Sequence, residues 1–98
     1  MRIKGVKSAR ITYIVETVRR FFPEAKIFAF GSRVSGTPMK YSDLDICIDD
    51  GSPLKLSQWS LLDEAFDESD LPIKIDISDY HRITKDFRRL IEKNCIEL

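Results

Sequence analysis

A chain of 98 residues fits one domain, and residues 1–98 are read as a single unit with one modest core. With 43% apolar and 33% charged residues and a formal net charge of zero, the composition is that of a soluble domain, not of a membrane protein or a strongly basic nucleic-acid binder. The basic start, MRIKGVKSAR, lacks the apolar run of a signal peptide, and Glu16 breaks the stretch ITYIVETV, so a cytoplasmic location is expected.

The zero charge hides an asymmetry. Residues 1–40 carry nine Lys/Arg and two Asp/Glu, a net +7. Residues 41–79 carry two Lys/Arg and eleven Asp/Glu, a net −9, and residues 80–98 carry five and three, a net +2. An acidic middle of this kind attracts cations. Cys47 and Cys95 form no C-x-x-C pattern and read as reduced, small apolar residues.

In chain order, Ser8 is placed to cap a helix running to about Phe21. Ile11, Ile14, Val15, Val18 and Phe22 recur at helical spacing, and Pro23 stops it. Lys26–Phe30 is short, apolar and aromatic and predicts a strand that Gly31 ends. Ser32 to Ser35 predicts a single helical turn closed by Gly36, and residues 37–42 a loop. Residues 43–48 alternate strictly, with Leu44, Ile46 and Ile48 on one face and Asp43, Asp45 and Cys47 on the other. Ser57 is placed to cap a helix through about Glu68, with Trp59, Leu62 and Phe66 near one face. Residues 73–78 form a third alternating strand, with Lys74, Asp76 and Ser78 on its polar side. A last helix covers about Arg82 to Lys93, striped by Ile83, Phe87, Leu90 and Ile91. The sum is an α/β (α+β) fold of order α-β-α-β-α-β-α, a small mixed sheet of three to four strands flanked by helices.

Two of the three strands carry carboxylates opposite their apolar face. Asp43 and Asp45, two apart on a strand, project from the same side with Cα atoms roughly 6–7 Å apart. Such a pair is unfavourable without a counter-ion. Magnesium suits it, because this ion takes a few carboxylates and completes its shell with water and phosphate oxygens. Asp76 joins them if its strand lies alongside, and three carboxylates can hold two ions that clamp both oxygens of an in-line phosphoryl displacement. Gly31 lets backbone approach a bulky anion, Ser32 opens a turn whose N–H groups favour phosphate, and Arg33 adds a charged fork.

The stretches GSRVSG (31–36) and SDLDI (42–46) resemble the signature of the DNA polymerase β-like nucleotidyltransferase superfamily. More narrowly, the chain is similar to the minimal nucleotidyltransferases (MNT proteins), which are often encoded beside HEPN-domain partners. The usual spelling has alanine where Val34 stands, at a position that is not a ligand. The resemblance implies that Gly31 and Ser32 bind the triphosphate and that Asp43 and Asp45 are the metal carboxylates. It implies Asp76 as the third carboxylate, helping to activate the attacking hydroxyl, with Asp79 as the other candidate.

The function implied is transfer of a nucleoside monophosphate, AMP from ATP, to an acceptor hydroxyl. The chain is too short to carry an acceptor-binding domain as well, so the acceptor is expected on a partner. The resemblance suggests a HEPN toxin, with this protein as the antitoxin that attaches AMP to it. Two other readings stand beside this one: an antitoxin that neutralises its partner by contact alone, and a stand-alone transferase for a small-molecule acceptor. Intact Ser32, Asp43 and Asp45 argue against the first, and the missing acceptor domain against the second. His81, the only histidine, reads as a surface or capping residue, and Trp59 and Phe66 as core. Lys40 and Lys74 are minor candidates for contacts to phosphate or base.

Overall fold

A computed structural model describes residues 3–98. The elements run α1 (Ser8–Phe21), β1 (Lys26–Phe30), α2 (Ser32–Ser35), β2 (Leu44–Asp49), α3 (Leu56–Asp67), β3 (Ile75–Asp79), α4 (Lys85–Lys93) and β4 (Ile96–Glu97). The four strands make one mixed sheet in the order β3-β2-β1-β4. β1 pairs antiparallel with β2 and with β4, while β2 and β3 run parallel, joined by the α3 crossover.

Strand alternation divides the sheet into two faces. Ile27, Ala29, Leu44, Ile46 and Ile48 are fully buried, with Ile75 and Ile77 beside them. On this face lie Ile14, Val18 and Phe22 from α1 and its end, and Leu62 and Phe66 from α3. Trp59 packs against the same core, as its helical spacing suggested. The other face carries Phe28 and Phe30 of β1, Asp45 and Cys47 of β2, and Asp76 and Ser78 of β3. It is only partly covered: Phe87 of α4 meets Phe30 edge to face, with ring centroids 5.7 Å apart.

Several element ends differ from the sequence reading. Ser8 and Ser57 lie inside α1 and α3, whose N-caps are Lys7 and Lys55 without a side-chain hydrogen bond. The last helix begins later than expected, where the Thr84 hydroxyl accepts from the Phe87 N–H at 3.2 Å. Ile83 therefore precedes that helix, and Leu90 stands 60% exposed on it. The third strand starts at Ile75, behind Pro72, and a fourth two-residue strand follows α4. That strand has no local signature. It exists because the β1 edge receives it, and the Leu98 N–H donates to the Ile27 carbonyl at 2.8 Å.

Candidate active site

The candidate residues converge where β1 ends and β2 and β3 begin. In the strand register Asp45 lies between Phe30 on one side and Asp76 on the other. Asp45 and Asp76 are thus neighbours on the half-open face, with their carboxyls within reach of a shared proton. Asp43 falls just before β2, not within it, and is exposed at the strand's mouth. Asp79, the other candidate for the third carboxylate, is on the wrong side of the sheet. Its strand parity is that of Ile75 and Ile77, and it is buried under the core face.

Gly31 closes the site from the β1 end. Its φ is +81°, a conformation that costs an L-residue strain, and a Cβ there would run into the Asp45 carboxylate. The backbone then turns into α2. The Gly31 carbonyl accepts from the N–H groups of Val34 and Ser35, and Ser32's accepts from Gly36. The donors left to this turn are the N–H groups of Ser32 and Arg33, with the Ser32 hydroxyl beside them.

Arg33 is placed differently from expectation. It is 2% exposed, and its guanidinium donates to the carbonyls of Lys4, Lys40 and Ser42 at 2.8–3.1 Å, with a longer bond to Met39. Burial and these bonds turn the fork away from any phosphate. Arg33 instead ties the N-terminal segment and the loop 37–42 to α2, and so fixes the approach to Asp43. Gly5 is part of the same fitting, since a Cβ there would stand 2.6 Å from the Arg33 Nη1. Arg33→Lys keeps the charge but loses the fork. It should lower stability by about 2 kcal/mol, checked by urea unfolding.

Electrostatics follow from this placement. Partial burial of Asp45, then the adjoining Asp76 and Asp43 carboxylates, raise its pKa to about 6. None of the ion pairs among the described residues serves these three groups; the pairs are Arg82–Asp79 and Arg89–Asp86, and the one histidine contacts Asp49 instead. Among the described residues no three metal-ligating side chains are gathered tightly enough to enclose an ion. The expected set of Asp43, Asp45 and Asp76 is therefore an open edge built on an adjacent pair, with Asp43 at its rim. An open, all-oxygen, cation-free set of this kind fits a hard divalent ion whose remaining ligands come from water and substrate phosphate.

A pH dependence follows. The pKa of Asp45 in the fold lies above its ordinary 3.8, so the stability linked to its proton is present at low pH and is lost as pH rises through about 6. A bound divalent cation reverses this. Magnesium should raise Tm more at about pH 7.5 than at about pH 5, and Asp45→Asn should remove the difference. Equal gains at both pH values would contradict it.

Other groups fall outside the site. His81 lies in the turn after β3, where its Nε2 stands 2.6 Å from Asp49 Oδ1, a hydrogen-bonded contact that sequence distance concealed. Burial alone would raise Asp49, but the Gly51 N–H and His81 outweigh it and hold the carboxyl below its ordinary range. Cys47 is fully buried, and burial pushes its thiol up to about 12, which makes it inert. Both cysteines are free. Tyr80 donates its hydroxyl to Glu92 at 2.6 Å. Lys40 lies 5.4 Å from the centre of the Tyr41 ring on the loop beside Asp43.

Residues 11–98 match the model of the nucleotidyltransferase domain family. The chain belongs to that family. It is 40% identical over 88 residues to the Haemophilus influenzae protein named probable protein adenylyltransferase MntA, an overlap of 90% of this chain and 77% of that one. A toxin–antitoxin structure with AMP-PNP superposes with a TM-score of 0.74 at 22% identity, covering 88% of this chain and 69% of the other. A structure described as a minimal nucleotidyltransferase gives 0.72 at 23% identity, covering 92% and 90%. At these identities the structural likeness speaks for the fold, which is the nucleotidyltransferase fold. The family match carries the activity: this is a nucleotidyltransferase. No helix among the described residues is long and apolar enough to cross a membrane.

Proposed function

We infer that the protein transfers AMP from ATP to a hydroxyl on a partner protein, and that the partner is a HEPN-domain toxin which this modification silences. The observation that carries the reading is the Asp45–Asp76 pair, flanked by Asp43 and abutted by the Gly31-Ser32 turn. The name of the 40% identical relative supports protein adenylylation, and the toxin–antitoxin neighbour supports the class of partner.

In this reading Ser32 and the adjoining N–H groups hold the outer phosphates. Asp43, Asp45 and Asp76 would hold magnesium, which when bound supplies positive charge to the phosphate oxygens and to the entering and leaving oxygens. The acceptor hydroxyl oxygen forms a bond to the α-phosphorus while the bond to the bridging oxygen breaks and pyrophosphate leaves. Asp76, exposed on the side of Asp45 opposite the Gly31 turn, accepts the hydroxyl proton. Charge stabilisation and positioning do the work, since this displacement needs no covalent intermediate.

The test is incubation of the protein, magnesium, ATP labelled at the α-phosphate and the product of the neighbouring gene. Label should pass to the partner and abolish its toxic activity. Inhibition without label, unchanged when Ser32 is replaced by Ala, would identify neutralisation by contact and overturn the reading.

A further inference from the structure

The loop 37–42 joins α2 to β2 and leads into Asp43, the carboxylate at the rim of the site. Its backbone is pinned. The carbonyls of Met39, Lys40 and Ser42 all accept from the buried Arg33 guanidinium. The Met39 N–H donates to the Ser42 hydroxyl oxygen at 2.9 Å, and the Ser42 N–H returns a bond to the Met39 carbonyl at 3.1 Å. The side chains between these bonds are left to water. Met39 is 78% exposed and Tyr41 74%, the highest values for large apolar residues among those described. Single apolar side chains on a surface are ordinary. Here two flank a lysine at the mouth of the carboxylate site, on a loop held by a buried cation. Burying a guanidinium is costly, and a short connection between two elements can be made without one. Rigidity in this loop therefore calls for a use.

We propose that Met39, Lys40 and Tyr41 choose the acceptor: they seat the segment of the partner protein that carries the acceptor hydroxyl, an apolar stretch with a carboxylate beside it. Charge gives that segment its direction. The boundary between the basic residues 1–40, net +7, and the acidic residues 41–79, net −9, falls inside this loop. On its outer side the Lys40 ammonium stands 5.4 Å from the centre of the Tyr41 ring, and Lys4 Nζ bonds the Gly36 carbonyl at 2.6 Å. On its inner side lie Asp43, Asp45 and Asp76. A polypeptide with a carboxylate over Lys40 and its hydroxyl over the carboxylate edge, where the metal would sit, meets both signs. Aromatic and methionine side chains are enriched at the centres of protein interfaces, and a loop ordered in advance loses little entropy on docking. A small alcohol would gain nothing from such a surface. The proposal rests on the reading of AMP transfer to a protein and adds to it the residues that recognise the acceptor.

The test separates acceptor recognition from nucleotide binding. AMP transfer to the purified product of the neighbouring gene is followed at saturating magnesium and ATP for the parent, Met39→Ser/Tyr41→Ser and Lys40→Glu. Calorimetry measures ATP binding and partner binding alongside. All three side chains are exposed, so the fold is kept, and thermal melts verify it. KM for the partner should rise about tenfold or more in the double variant and severalfold in Lys40→Glu, while kcat and ATP affinity stay within about twofold of the parent. An unchanged KM in either folded variant overturns the proposal. A fall in ATP affinity does so too, by making the loop part of the nucleotide site, as does a fall in kcat alone, by making it act on the chemistry. A parent that binds ATP but labels no partner would instead sink the AMP-transfer reading. Direct binding then decides the loop: weaker docking of the double variant supports its role, and unchanged docking overturns it.

Discussion

Asp43→Asn/Asp45→Asn should lose AMP transfer by about 10³-fold or more while the protein stays folded. The loss has the size of several kcal/mol, the scale on which metal-bound charge stabilises a phosphoryl transition state. The direction on stability is the diagnostic part. Asp45 carries a pKa raised to about 6 by burial and by its carboxylate neighbours, so in the metal-free protein near neutral pH its charge opposes the fold. Removing that charge should leave Tm unchanged or slightly higher without magnesium. With magnesium the parent should gain stability and the variant should not. A variant that unfolds would point to a structural role for the pair, and one that still transfers AMP would place the metal site elsewhere. The measurements are label transfer and thermal melts with and without magnesium.

Much of the fold was legible because helical and strand periods are local. Ile14 and Val18 in α1 and the buried trio of Leu44, Ile46 and Ile48 in β2 follow directly from spacing. What escaped depends on partners distant in sequence. The two residues of β4 have no pattern of their own and are strand only because β1 has a free edge. Residues 73 and 74 alternate like a strand, yet β3 begins at Ile75, where pairing with Leu44 begins. Arg33 shows the same limit at the site. An arginine next to a Gly-Ser turn reads as a phosphate ligand, and nothing local says that the carbonyls of Lys4, Lys40 and Ser42 surround it. Spacing marked Gly31, Ser32, Asp43 and Asp45 as a set; the parallel β2–β3 register is what brings Asp76 beside them.

Asp76 and Asp79 are three residues apart on one strand, and their alanine variants should fail in opposite ways. Strand parity puts Asp76 on the open face, exposed and without an ion-pair partner among the described residues, and Asp79 on the core face with its side chain fully buried. Asp79 Oδ2 accepts from the Leu54 N–H at 2.8 Å and from Arg82 Nε at 3.0 Å, and Oδ1 accepts from the His81 N–H at 3.0 Å. Arg82 also reaches the Leu54 carbonyl at 3.0 Å, so one carboxylate ties the loop before α3 to the turn after β3. Its removal strands a buried N–H and a cation that faced it. Arg82 is 43% exposed and can turn to water, so the cost is chiefly that of the buried N–H: Asp79→Ala should lose about 2–3 kcal/mol, a large share of the stability of a domain this small, with a matching fall in the urea midpoint. Asp79→Asn should recover part of this by keeping one acceptor. Asp76→Ala removes a charge that no ion pair among the described residues engages, so its urea midpoint should match or exceed the parent's while AMP transfer falls about 10²-fold or more. A stable, inactive Asp79→Ala together with an unstable, active Asp76→Ala would exchange the two roles and break the link from strand parity to chemistry.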